Sequence, residues 1–440
     1  MRVLLIDPVT TARTLQVETR RKLRRGIGYP GLGLFTVAAL TPPDIEVKVI
    51  DESVEEIGDG FIPDLVGISV QTPTAPYAYE LSARYRSAGI PVVLGGIHAS
   101  LNPNEAAEHA DAIVVGEAEL TWPTLLDDFR RGKLQRSYCA KELADLDASP
   151  LPRRDLMRPD EYQIPCVVQA SKGCPFGCEF CALHAYVGYR TRFRRTDRVI
   201  EEIRALPDGN AVLFADDNIY ANKRFARQLF RALAPLKRSW VAESTWHIAF
   251  DDETLTLARD AGCVGLFVGF DSINQQHAMS KVPGPDDPEE VYVQAIRNII
   301  KKGMACVAAF VFGLDGDDTT VFERSFNVAR SGGANLVNFS VLIPYPGTPL
   351  FKRLEQEGRI TEWDWSRYIS PNVCFEPKRM SAADLYEGTL WAQKEFFSLR
   401  HVIKTAVRTS RQLGWGMGLL ALRLNLAQRS NWGRGSGNGG

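Results

Sequence analysis

The sequence predicts an α/β protein: an N-terminal doubly wound parallel sheet, then a partial barrel of six βα units, then a helical C-terminal region. Three observations predict it. Short, nearly continuous apolar runs alternate with helical segments up to residue 130 and again from residue 166. Such runs suit strands buried on both faces, as parallel sheets with crossover helices require. Between the two series, Pro150, Pro152, Pro159 and Pro165 interrupt a stretch poor in apolar residues, which defeats regular structure.

In chain order, the first strands read Val3–Ile6, Val47–Ile50, Leu65–Ser69, Val92–Leu94 and Ala112–Val115, with helical segments such as Tyr77–Ala88 and Glu119–Arg130 between them. Ligands of such sheets bind beyond the carboxyl ends of the strands. Those ends carry Asp7, Ser69 to Thr72, Gly95 to His98, and Gly116 with Glu117, and glycine lets a flat ligand approach the backbone. The first domain is therefore set at 1–131, with a linker at 132–165. The second series, 166–350, has strands at Val167–Val168, Ala211–Phe214, Trp240–Ala242, Gly265–Val268, Val307–Val311 and Leu336–Ser340, with helices such as Arg198–Leu206 and Glu289–Lys302. A barrel of this kind places its site at the C-terminal strand ends. The helical region, 351–440, is aromatic-rich and ends in a Gly/Ser tail, Gly433–Gly440, expected to be disordered. Its apolar stretch Leu413–Leu422 is read as a packing helix, with contact to a membrane surface as the alternative.

The composition is that of an ordinary globular protein, 45% hydrophobic and 24% charged. A net charge of −1 gives no bulk electrostatic case for nucleic acid. No stretch approaches the length of a membrane span, and the first apolar run is too short for a signal peptide. Eight cysteines with no disulfide pattern fit a reducing cytoplasm.

Three of them stand together. Cys174, Cys178 and Cys181 share one Gly- and Pro-turned loop directly after an apolar strand. Three thiolates leave a four-iron–four-sulfur cluster one ligand short of the usual four cysteines, an opening for a chelating molecule. A zinc knuckle or buried structural thiols are the alternatives, although structural zinc takes four tetrahedral ligands and His184 is cramped. Asp216-Asp217-Asn218 follow the second barrel strand and can accept from a ligand ammonium or cap the next helix. Glu243 ends the third strand, and Asp271 with Ser272 the fourth. The basic run Arg20–Arg25 reads as a solvated loop or a reach toward an anionic ligand, and Arg190, Arg192, Arg194 and Arg195 pose the same choice.

The spacing Cys-x3-Cys-x2-Cys, with Phe180 before the last cysteine, resembles the signature of radical S-adenosylmethionine (SAM) enzymes, in which SAM chelates the fourth iron and is cleaved to a 5′-deoxyadenosyl radical. The layout over residues 1 to 400 resembles the branch carrying an N-terminal cobalamin-binding domain, with relatives acting as methylases or oxidative cyclases in hopanoid and bacteriochlorophyll biosynthesis. The resemblance assigns Asp216 and Asp217 to SAM's amino group. Glu243, Asp271 and Ser272 fall to its ribose and methionine portions, and Gly313 to the loop beside adenine. Pro344–Pro349 looks like the loop closing the barrel mouth, with Tyr345 on the substrate side. Ser69, Gly95, Gly96 and Gly116 would meet cobalamin. Asp7 is followed by Pro8-Val9-Thr10 rather than the Asp-x-His-x-x-Gly of mutase-type proteins, so the cofactor's lower face is expected to lack a His ligand, with Ser69 to Thr72 and His98 the nearest groups. The implied activity is functionalisation of an unactivated carbon, most often methylation, in secondary-metabolite, lipid or tetrapyrrole biosynthesis. The alternative is oxidative cyclisation or noncanonical SAM cleavage without functional cobalamin. A small-molecule or lipid-like substrate and an electron donor such as a flavodoxin or ferredoxin are the expected partners. A purely electron-carrying or structural role is disfavoured, since a carrier needs no pocket.

Overall fold

The computed structural model describes residues 1–9, 28–140, 142–274 and 287–435. The basic run Arg20–Arg25 and residues 436–440 of the tail lie outside the described residues. The chain divides into two compact units. One holds Met1–Pro165, Cys178–Arg190 and Pro344–Ile369; the other holds Cys166–Gly177, Thr191–Ile343 and the chain from Ser370 onward.

The first unit is built on a parallel sheet of β1 (Arg2–Asp7), β2 (Glu46–Asp51), β3 (Leu65–Ser69), β4 (Val92–Gly95), β5 (Ala112–Val115) and β6 (Ser137–Cys139). Its order is β2-β1-β3-β4-β5-β6, so the winding direction reverses beside β1 and β3. The apolar run of β1 serves both faces. Val3 and Leu5 join one core with Phe35 and Trp122, while Leu4 and Ile6 join the other with Val66 and Leu94. Each such side chain contributes about 1.5–3 kcal/mol on burial. β6 falls inside the expected linker and pairs with β5. The rest of that segment belongs to the same unit: Arg153 N donates to Phe35 O at 3.0 Å, and Tyr162 OH to Asp51 at 2.7 Å. The described residues of 132–165 are thus an edge strand and a packed strap rather than a free linker, because their backbone and side-chain groups find partners on this unit.

The second unit holds β7 (Cys166–Val168), β8 (Ser171–Lys172), β9 (Arg192–Phe193), β10 (Val212–Phe214), β11 (Trp240–Thr245), β12 (Cys263–Gly269), β13 (Ala305–Phe312) and β14 (Leu336–Val341). Six of these form a parallel sheet in sequential order, β7-β10-β11-β12-β13-β14, the partial barrel that the sequence predicts. In β13, Cys306, Ala308, Phe310 and Phe312 are buried, and Phe310 packs on Phe270 with ring centroids 5.5 Å apart. The alternate residues Val307, Ala309 and Val311 are only partly covered. The sheet therefore has a closed outer face under its helices and an open inner face. A boundary at 351 does not separate a C-terminal region: Pro349–Gln356 lies in the first unit, whereas the helix Ala382–Phe396 packs on β14, Phe396 facing Phe339 with ring centroids 6.4 Å apart and Gln393 Nε2 donating to Phe339 O at 2.7 Å.

Candidate active site

The cysteines sit on an excursion that leaves from β8 and returns through β9. These two short strands pair antiparallel, Lys172 opposite Arg192, and pin both ends of the loop. None of Cys174, Cys178 and Cys181 is in a disulfide, and all three are partly exposed. A cubane offers each cysteine of such a loop its own iron. Phe176, between the first two cysteines, stacks on His247 at 5.0 Å, and His247 stacks on Trp246 at 4.1 Å. Nothing in the motif's spacing announces this aromatic support.

Burial pushes the Cys174 thiol up, and Asn218 beside it favours the thiolate. Asn218 is 1% exposed. Its Oδ1 accepts from Tyr220 N at 3.1 Å, while its Nδ2 has no hydrogen bond of good geometry among the described residues. A donor aimed at a ligand sulfur is one means of tuning an iron–sulfur cluster.

Asp216 and Asp217 part company. Asp216 is buried and accepts from Ala170 N at 2.9 Å and Ser171 Oγ at 2.5 Å; burial raises its carboxyl to about 7. It ties β10 to the turn before the cysteine loop. Asp217 is exposed and accepts from Gly173 N at 2.7 Å. Asp217 and Asp271 follow the ends of β10 and β12 and act electrostatically on Cys174, and the period-two alternation of strands puts Glu243 on the inner face together with Thr245, Phe267 and Asn338. The sequence reading did not single out the last three, although their alternate positions were visible. Neither Asp217 nor Asn218 caps the following helix; Asn222 does, accepting from Phe225 N at 3.0 Å.

Three acidic side chains thus stand at successive strand ends. Burial lifts Asp271 to about 6, and burial with the negative charge of Asp217 raises Glu243. The charges of Asp217 and Asp271 are felt at Cys174. No hydrogen bond or ion pair holds the Glu243 or Asp271 carboxylate among the described residues. Asp271 also takes φ 52°, a left-handed conformation that a non-glycine residue adopts at a cost. A cation placed among these carboxylates would relieve both repulsion and desolvation.

Other expected SAM residues have work inside the fold. Ser272 is 1% exposed and donates to Asp317 Oδ1. The other Asp317 oxygen accepts from Gly313 N at 3.0 Å and Leu314 N at 3.1 Å. Gly313 has φ 104°, and a Cβ there would lie 2.8 Å from Leu385 and 3.1 Å from Phe375. Asp317 is the hub that sequence reasoning passed over. Arg194 pairs with Glu202 at 2.5 Å, and Arg195 with Asp197 at 2.6 Å.

In the first unit, among the described residues, Gly116 (φ 85°) has open space where a side chain would stand, and Gly95 would meet only Val114, at 3.7 Å. These are surfaces a flat macrocycle can approach. Gly96 is different: at φ 88°, a Cβ would lie 2.8 Å from Val70 N and 3.1 Å from Ser69 Oγ, so the glycine serves backbone packing. His98 is wholly buried, with its ring nitrogens 3.2 Å from Thr72 Oγ1 and 3.2 Å from Tyr79 OH. Both of its ring nitrogens are thus engaged within the fold. Thr348 caps Pro349–Gln356, accepting from Phe351 N at 3.1 Å, and donates to Tyr345 O at 2.6 Å. The Pro-Gly-Thr turn is therefore at least a helix cap.

The profile of the radical SAM superfamily matches residues 168–327, and that of the B12-binding domain matches residues 29–126. The chain thus carries a radical SAM domain preceded by a B12-binding domain. It is 29% identical to the bacteriochlorophyllide d C-12(1)-methyltransferase of Chlorobaculum tepidum over 85% of this chain and 84% of that one. It is 27% identical to the hopanoid C-2 methylase of Rhodopseudomonas palustris over 76% and 66%. The solved structure of the radical SAM methyltransferase TsrM from Kitasatospora setae, with cobalamin and a 4Fe–4S cluster bound, shares the fold at a TM-score of 0.63 and 18% identity, covering 91% of this chain and 86% of that one. This radical SAM enzyme takes a four-iron–four-sulfur cluster, SAM and cobalamin as its cofactors. No helix among its described residues is long and apolar enough to cross a membrane.

Proposed function

We propose that this radical SAM enzyme transfers a methyl group to an unactivated carbon of a small-molecule or lipid-like substrate. The observation that carries the reading is the line of strand-end carboxylates, Asp217, Glu243 and Asp271, beside Cys174. Cys174, Cys178 and Cys181 hold the cluster. Asp217 accepts from the ammonium of SAM, and Glu243 and Asp271 receive its remaining positive charge and ribose hydroxyls. The open inner face, with Thr245, Phe267 and Asn338, takes the substrate. Asp216, Ser272 and Gly313 position these groups from behind through the turns that they hold. Ser69, Gly95 and Gly116 would border the cobalamin site at the strand ends, while Gly96 shapes it, and the ring nitrogens of His98 are taken up by Thr72 and Tyr79. Bound in these sites, the cluster supplies the electron that cleaves SAM and cobalamin carries the methyl group. A flavodoxin or ferredoxin of a reducing cytoplasm would supply that electron.

Anaerobic reconstitution with iron, sulfide and cobalamin, followed by measurement of bound cobalt and 5′-deoxyadenosine, tests the reading. Both are expected. A protein that cleaves SAM but retains no cobalt would instead be a radical SAM cyclase or oxidase with a non-functional first domain.

A further inference from the structure

The chain from Leu399 onward forms two helices, Leu399–Leu413 and Trp415–Gly435, joined at Gly414 with φ 93°. They pack closely: a Cβ on Gly418 would fall 2.9 Å from Ala406 O. Polar side chains pin the pair to the end of β14. Asn335 Nδ2 donates to Thr409 Oγ1 at 2.9 Å, Asn425 Nδ2 to Asn335 O at 3.1 Å, and Arg408 Nη2 to Ala334 O at 2.9 Å.

Polar side chains share the buried side of the pair with Val402 and Ala421, while larger apolar side chains face outward. Thr405, Thr409 and Asn425 are at most 1% exposed. Leu399, Ile403 and Val407, spaced four apart and hence along one helix face, are 52%, 57% and 45% exposed. On the second helix, Leu419, Leu420 and Leu426 are exposed in the same way, and Trp415 at the tip is 74% exposed. A soluble surface helix faces the other way.

The charge pattern says what covers this face. No Asp or Glu follows Glu395, whereas Arg or Lys recurs at 400, 404, 408, 411, 423, 429 and 434, in a chain whose net charge is −1. Arg400, Lys404, Arg411 and Arg423 are exposed among the apolar residues. An apolar surface, interleaved with cations and tipped by tryptophan, matches the acyl boundary and anionic headgroups of a bilayer. We propose that this helical hairpin docks the enzyme on an anionic membrane surface without crossing it.

The test is sedimentation of the full-length reconstituted protein with vesicles of phosphatidylcholine alone or with about one-third phosphatidylglycerol. Binding at least tenfold tighter to the anionic vesicles, weakening as salt rises, is expected. Two variants separate the contributions. Trp415→Ser with Leu419→Ser and Leu420→Ser should abolish stable binding, and Arg400→Gln with Lys404→Gln and Arg411→Gln should remove the preference for anionic lipid. Both should keep the wild-type cluster spectrum and melting temperature, since every substituted side chain is exposed. Absence of wild-type vesicle binding, equal binding to both vesicle types, or a wild-type dimer that the apolar variant turns into a monomer would overturn the proposal.

Discussion

Asp216→Ala removes a carboxylate that accepts from Ala170 N at 2.9 Å and Ser171 Oγ at 2.5 Å in a fully buried setting. The serine hydroxyl can turn to another acceptor, but the Ala170 N–H is left without one. At about 1–3 kcal/mol for a buried unsatisfied group, with a further contribution from the cavity, the loss should be about 2–4 kcal/mol. In a unit of this size that lowers the melting temperature by roughly 5–10 °C. Asp217→Ala removes an exposed acceptor whose structural contact is Gly173 N at 2.7 Å, and should leave the melting temperature within about 2 °C. Its effect should appear in SAM binding, where losing an acceptor for a charged donor costs about 1.5–3 kcal/mol, tenfold or more in Kd. Thermal melts and anaerobic titration calorimetry on both variants read the two quantities. A stable Asp216→Ala that loses SAM, paired with an Asp217→Ala that binds it normally, would refute the division of roles.

Cys174→Ala, Cys178→Ala and Cys181→Ala should each abolish the reconstituted cluster's visible absorption and all SAM cleavage, while Cys263→Ala and Cys306→Ala, deep in the core, should retain both; iron analysis and 5′-deoxyadenosine release decide. Asn218→Leu should keep the cluster but shift its reduction potential downward by removing a donor near the Cys174 sulfur, and an unchanged potential in a redox titration would dismiss that contact. Gly96→Val should unfold the first unit through collision with the Val70 backbone, seen as lost circular dichroism, whereas Gly116→Ala should fold and weaken cobalamin binding. Glu105 has a carboxyl that burial would raise, but hydrogen bonds from His98, Trp365 and Tyr79 hold it at about 2, below its ordinary 4.5. Its stabilisation is therefore complete above pH 4.5 and lost as pH falls toward about 2, and Glu105→Gln should flatten the acid limb of a stability–pH curve over that interval.

Local chemistry made the two βα series and the three-cysteine loop legible in the sequence. An apolar run buried on both sides and three thiols within one turn-rich segment carry their meaning in adjacent residues. What stayed hidden depends on partners distant in the chain or on the phase of a two-residue period. Asp216 and Asp217 are indistinguishable until the turn after β10 buries one against Ala170 and Ser171 and leaves the other exposed. His98 looks like a candidate for cobalt until Thr72 and Tyr79 close on its two nitrogens. Ser137–Cys139 and the two-residue ribbon holding the cysteine loop are too short to show periodicity, and exist only because a neighbouring strand supplies their hydrogen bonds. The C-terminal helices were readable as helices, but their orientation rests on Asn335 meeting Thr409 and Asn425. Sequence alone determined which of the longer, periodic elements form and which chemistry the cysteines permit. Tertiary structure decided which carboxylates face the open sheet and which apolar faces meet solvent, because facing is a property of packing between segments far apart in the chain.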